Sequence, residues 1–274
     1  MTPFICPLCQ TDFQKNNNTQ VCANNHHFDI AKEGYLNLLP VNAKNSKNPG
    51  DNKEMMTARR AFLNSGGYFQ LAKKVSELVS SYLASKEQAE ILDLGCGEGY
   101  YTALLAEQLP TQFVVNGLDI SKVAIRYAAK RYKNINFCVA SAYDVPLPDN
   151  SIDALIRIYA PSLDNELARL IKASGYLITV TPAPRHLFQL RENIYQQVNE
   201  HAQKNLAPAG FDKIEQINLN YLLTIDDAAS VENLVKMTPL YWKYSEQKMQ
   251  SLLAQRQWNI ECDFNIEIYQ RQEN

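Results

Sequence analysis

The chain has 274 residues, 46% of them hydrophobic, enough to bury one medium-sized core and carry a small appendage. Its 27 Lys and Arg against 29 Asp and Glu leave a net charge of −2, which excludes a protein held to nucleic acid by a broad positive field; any such contact must be local. Met1 to Cys6 hold neither a basic stretch nor an apolar run, and no later segment approaches the ~20 apolar residues of a membrane span, so the expectation is a cytoplasmic protein with reduced thiols.

The first element is a metal module. Cys6-Pro7-Leu8-Cys9, Cys22 and His26 follow C-x2-C-x12-C-x3-H, a spacing that brings two paired knuckles onto one tetrahedral ion. Four protein ligands leave no open position, so the expectation is one structural zinc per chain, bound by Cys6, Cys9, Cys22 and His26 within a module spanning residues 1–40. His27 is the alternative fourth ligand, since spacings of three and four both occur; the shorter is favoured. Phe4, Phe13, Phe28 and Ile30 are expected to form a small apolar cluster beneath the metal.

Residues 41–67 read as a basic linker and helix. Lys44, Lys47, Lys53, Arg59 and Arg60 face only Asp51 and Glu54, which makes this the best local candidate for RNA contact, although such a run is also what a solvated linker looks like. From Phe69, the positions Leu71, Val75, Leu78, Val79, Tyr82 and Leu83 recur at helical spacing. Apolar strands over 90–94, 113–119, 135–139, 152–158 and 176–181 then alternate with helical patterns, which predicts βαβ units and a parallel sheet. The tail reads as a strand over 214–223, helix across 226–255 and a last strand over 262–269, so that the sheet ends in an antiparallel hairpin. Residues 68–274 thus form an α/β, Rossmann-like domain.

Its chemistry sits at the end of the first strand. Ile91-Leu92-Asp93-Leu94-Gly95-Cys96-Gly97-Glu98-Gly99-Tyr100 places Gly95, Gly97 and Gly99 between a buried strand and a helix. A dinucleotide site would want a third glycine where Tyr100 stands. A turn that still allows close backbone approach, without a phosphate to cradle, suits S-adenosylmethionine, whose ammonium Asp93 can accept directly or through water. Asp119 ends the second strand at the position that takes ribose hydroxyls, while Ser121 is the better cap for the helix from Lys122. Ala140 to Asp144 sits where an adenine edge would be read. The fold class is therefore a class I S-adenosylmethionine-dependent methyltransferase sheet with an N-terminal zinc-binding module.

The sequence resembles the bacterial 23S rRNA (guanine-N1)-methyltransferases over essentially its whole length. The resemblance rests on Cys6 to Cys9, His26 to Asp29, Ala31 to Tyr35, Asn37 to Pro40, Ala58 to Leu63, Asp93 to Tyr101, Arg157 to Pro161 and Pro184 to Leu187. The pattern is more similar to the guanine-745 type than to the guanine-748 type. It implies donor contacts from Tyr68, Gly97, Glu98 and His186, a domain II hairpin of 23S rRNA (hairpin 35) as partner, and a homodimer, with no DNA and no membrane. In this fold Arg157 to Pro161 faces the acceptor, which makes Tyr159 the candidate catalytic residue, stacking on or orienting the base; packing on the glycine turn is its plainer explanation. Two other readings stay open: a small-molecule methyltransferase of the quinone or metabolite type with a zinc cap, and a non-catalytic zinc-dependent RNA-binding assembly factor.

Overall fold

A computed structural model describes residues 2–40, 53–198 and 207–273. Its first elements are the strands Phe13–Asn16 (β1), Thr19–Cys22 (β2) and His27–Asp29 (β3), an antiparallel ribbon in the order β1-β2-β3. Asn16 pairs with Thr19, leaving the two-residue turn Asn17-Asn18 with Asn17 at φ 53°, a conformation asparagine tolerates better than most residues. The chain then enters Leu36–Asn37 (β4) and leaves the ribbon.

Seven longer strands follow: Ala89–Leu94 (β5), Phe113–Asp119 (β6), Asn136–Val139 (β7), Ile152–Ile158 (β8), Ile171–Pro182 (β9), Phe211–Ile225 (β10) and Trp258–Arg271 (β11). With β4 they form one eight-stranded sheet in the order β10-β11-β9-β8-β5-β6-β7-β4. The β4 to β9 pairings are parallel, and β11 runs antiparallel to both β9 and β10. Alternate residues of β5 serve opposite faces: Ile91 packs in one core layer, Leu92 and Leu94 in the other, and all three are fully buried. Such two-sided burial is why these strands read as continuous apolar runs.

Helices Lys53–Asn64 (α1), Phe69–Tyr82 (α2), Tyr100–Gln108 (α3), Lys122–Arg131 (α4), Asp164–Leu170 (α5) and Phe188–Glu192 (α6) precede β10. Leu71, Val75, Leu78 and Val79 of α2 are buried against the sheet at the expected spacing. Ser121 caps α4, its hydroxyl accepting from the Ala124 amide at 3.3 Å. No helix among the described residues is long and apolar enough to cross a membrane.

Three features differ from the sequence reading. The helical pattern across 226–255 is broken into Ala228–Lys236 (α7), a short 3-10 turn at Pro239–Lys243 and Glu246–Leu253 (α8), because Thr238-Pro239 cannot continue α7. The terminal hairpin is longer than its alternating core, with fourteen residue pairs from Phe211–Arg271 to Ile225–Trp258. The apolar residues under the metal do not form a cluster of their own: Phe4, Phe13, Leu36 and Leu38 share one core layer with Leu92, Leu94 and Leu118. The segment expected as a separate module ends as a strand of the main sheet, with β4 paired to β7 and the Leu38 amide donating to the Val139 carbonyl at 2.9 Å.

From β5 the sheet grows one way through β6 and β7, and then the chain returns to the other side of β5 as β8. The crevice at the carboxyl ends of β5 and β8 is the switch point where a doubly wound sheet binds ligands.

Candidate active site and metal centre

The sulfurs of Cys6, Cys9 and Cys22 and a ring nitrogen of His26 all lie within 4.8 Å of one another. Cys9 Sγ to Cys22 Sγ is 3.6 Å, and His26 Nδ1 stands 3.4 Å from Cys6 Sγ and 3.3 Å from Cys22 Sγ. Ligands at ~2.3 Å (sulfur) and ~2.0 Å (nitrogen) from a tetrahedral ion would be about 3.5–3.8 Å apart, so the donor set fits zinc. The knuckles are built by the backbone. Gln10 at φ 57° turns the chain after Cys9 and Asn25 at φ 60° turns it between Cys22 and His26, and the His26 amide donates to Cys22 Sγ at 3.3 Å. His27 lies on exposed β3 with its ring 3.0 Å from Asn25 Oδ1, outside the cluster.

The second site is a cavity of about 750 Å³ over the ends of β5 and β8, within the ~300–1,000 Å³ of small-molecule sites. Tyr68, Asp93, Gly95, Gly97, Glu98, Asp119, Tyr159 and His186 line it; Gly99 lies behind the lining. Gly95, Gly97 and Gly99 sit at φ 80°, 56° and 77°, in the left-handed region that a side chain resists. A Cβ on Gly95 would stand 2.4 Å from Ala160 Cβ, whereas one on Gly97 would meet nothing within 4 Å and would occupy open space. That space leaves the backbone of the turn open to close approach from the cavity.

Asp93 is 2% exposed, and its Oδ2 accepts from the Thr102 hydroxyl at 2.6 Å. Burial pushes its carboxyl up to about 7, with Thr102 opposing. Asp119 is tied into the turn itself: Oδ2 accepts from the Gly97 amide at 2.9 Å and Oδ1 from the Ser121 amide at 2.7 Å. These two bonds fix the carboxylate at the cavity edge. Ser141, Ala142 and Tyr143 line the adjoining wall.

Two features were not visible in the sequence. Glu98 is held bidentately by Arg60 of α1, with both contacts at 2.6 Å, and Arg60 also lies 4.1 Å over the Tyr127 ring. The basic stretch expected to meet RNA therefore turns Arg60 inward, and Arg59 donates to the Met237 carbonyl at 3.4 Å. Lys44, Lys47 and Asp51 lie outside the described residues. The other feature is an aromatic wall. Tyr68 packs edge-on against Phe62 and Phe264, and its hydroxyl and that of Tyr159 each lie 3.4 Å from His186 Nε2. Thr238, Pro239 and Leu240, after α7, also line the cavity. Nothing in their local pattern marks them as site residues; only the β10–β11 topology carries them there.

The zinc-ribbon family described as RlmA, N-terminal, matches residues 4–47, and the methyltransferase-domain family matches residues 85–237. A Bacillus subtilis (strain 168) protein, YxjB, which carries the provisional name 23S rRNA (guanine-N1)-methyltransferase, is 30% identical over 97% of this chain and 96% of its own. The chain belongs to the 23S rRNA (guanine-N1)-methyltransferase family. The 23S rRNA (guanine(748)-N1)-methyltransferase of Streptomyces fradiae is 29% identical over 91% of this chain and 89% of its own. By contrast, a demethylmenaquinone methyltransferase of Bacillus licheniformis is 26% identical over only 47% of this chain. Membership makes the enzyme S-adenosylmethionine-dependent and its N-terminal cluster a zinc ribbon.

Proposed function

We propose that this enzyme transfers the methyl group of S-adenosylmethionine to N1 of a guanine in hairpin 35, in domain II of 23S rRNA. The observation that supports it best is the likeness to rRNA enzymes, which runs through ribbon and catalytic domain alike. Likeness to a quinone enzyme covers less than half the chain. The resemblance of the motifs favours the guanine-745 type, although one relative is of the guanine-748 type.

In this reading, Gly95 to Gly99 hold the donor's tail by close backbone approach, Asp93 takes its ammonium, Asp119 its ribose, and Tyr68 and His186 complete the contacts. Glu98 acts through its backbone, since its carboxylate is occupied by Arg60. Cys6, Cys9, Cys22 and His26 hold one structural zinc. When bound, the donor supplies an electrophilic methyl group, and the chain's task is to align the acceptor with it. Guanine N1 lies on the Watson–Crick edge, so the base must be unpaired or flipped out to enter, and Tyr159 stacks on or orients it. We further read the protein as a cytoplasmic homodimer, a state that light scattering tests directly.

The test is a parallel transfer assay with labelled donor on a 23S rRNA fragment containing hairpin 35 and on a demethylated quinol. Label in the RNA alone supports the reading. Label in the quinol alone moves the enzyme to the small-molecule class.

A further inference from the structure

Tyr159 is the one residue of the acceptor loop whose backbone is strained: it sits at φ 56°, while its amide donates to the Val180 carbonyl at 3.2 Å. The turn places Ala160 against Gly95 and leaves Tyr159, 47% exposed as a residue, in the cavity wall. Its hydroxyl meets His186, which is 7% exposed and held from behind, Nδ1 accepting from the Asp263 amide at 3.3 Å. With that lone pair taken, the ring carries its hydrogen on Nε2 and can only donate there. Nε2 stands 3.4 Å from both phenol oxygens, so each phenol that accepts must direct its own hydrogen elsewhere. Both phenols line the cavity, but Tyr68 is 4% exposed and packed between Phe62 and Phe264, whereas Tyr159 is 47% exposed and the more open of the two to an acceptor.

We propose that Tyr159 donates its hydroxyl hydrogen to O6 of the target guanine, stabilising the charge that O6 gains as N1 is deprotonated, and that His186 is the positioning residue that sets this direction. The inference rests on the guanine-N1 reading. The N1–H bond breaks and the proton passes to solvent water, while its electron pair spreads over N1, C6 and O6. N1 then bonds to the methyl carbon as the carbon–sulfur bond breaks, its electrons staying on sulfur, so one proton is released per methyl transferred. Burial pushes both phenols well above their usual range, which keeps them as O–H donors and unsuited to act as the base. The same arrangement selects guanine. Adenine presents an amino donor where guanine presents O6, and an O–H aimed at that point repels it.

The experiment is single-turnover methylation of the 23S rRNA fragment against pH, with wild type, Tyr159→Phe and Tyr68→Phe, alongside donor affinity by calorimetry. Tyr159→Phe should slow transfer at neutral pH by about 100-fold, as loss of one oxyanion donor does. It should also move the alkaline limb of the profile up by about one to two pH units, with donor affinity kept within about twofold. Tyr68→Phe should leave that limb where wild type has it, whatever it does to donor binding. A Tyr159→Phe profile that keeps the wild-type shape, whether scaled down or unchanged, overturns the proposal and leaves Tyr159 a stacking or packing group. No N1-methylguanine from wild type at any pH defeats the underlying reading instead.

Discussion

At the level of single residues, Asp93 is where burial and the proposed donor contact oppose each other most directly. Its carboxyl is pushed up to about 7, so in the donor-free enzyme it is largely protonated below that pH. A cationic ammonium favours the ionised form. Donor affinity should therefore rise with pH through about 7, weakening by roughly tenfold from pH 8 to pH 6, and calorimetry of Asp93→Asn should show weaker, pH-independent binding. Linkage gives the sign for folding: a carboxyl raised from about 4 to about 7 adds stability at acid pH that is lost as pH climbs through that window. Gly97 gives the steric counterpart. Gly97→Val adds a branched side chain at φ 56° in space that is otherwise open, and we expect donor affinity to fall by well over tenfold; unchanged calorimetric affinity would remove the donor from this turn. Both positions are readable in sequence, because a glycine turn between a buried strand and a helix has few other uses. The Tyr68, Tyr159 and His186 cluster is not, since residues 27 and 91 positions apart carry no mutual signal until β8, β9 and β11 are side by side. Only resemblance pointed to Tyr68 and His186 beforehand.

Among the elements, β4 matters most for how the two halves work together. It leaves the zinc ribbon, pairs with β7, and lies beside Tyr35 and Leu39, which share a core layer with Cys96 of the glycine turn. Arg126 of α4 reinforces the join through Glu33 at 2.9 Å. Metal loss should therefore be felt at the donor site. Cys9→Ser should lose its zinc by elemental analysis and lower the melting temperature, and should also weaken donor binding several-fold; zinc-free protein with wild-type donor affinity would show the halves to be independent. The sequence showed the ribbon through its ligand spacing but not this attachment, because a two-residue strand leaves no periodicity to read. The parallel strands were plain for the opposite reason: they are long, apolar on both faces and separated by helices. The break at Thr238-Pro239 was available in the sequence, yet the continuous apolar pattern around it read as helix.

Across the whole molecule, a net charge of −2 supplies no broad positive field for RNA, and Arg60 is engaged by Glu98. Shape and the presentation of one unpaired base must carry much of the selection, so activity should depend on hairpin structure more than on salt. The metal-ligand spacing and the glycine turn are legible in sequence because each is a local pattern. The acceptor's identity follows from kinship across the full chain, which no single motif supplies. The central claim is that this fold methylates one guanine of 23S rRNA at N1, and primer extension reads that event directly, since a methyl group on N1 blocks pairing. Wild-type enzyme, donor and 23S rRNA transcript should give a single donor-dependent stop in hairpin 35, absent with Gly97→Val. Stops elsewhere, or none in transcripts, in ribosomal precursors and in rRNA compared between wild-type and deletion strains, would contradict the account.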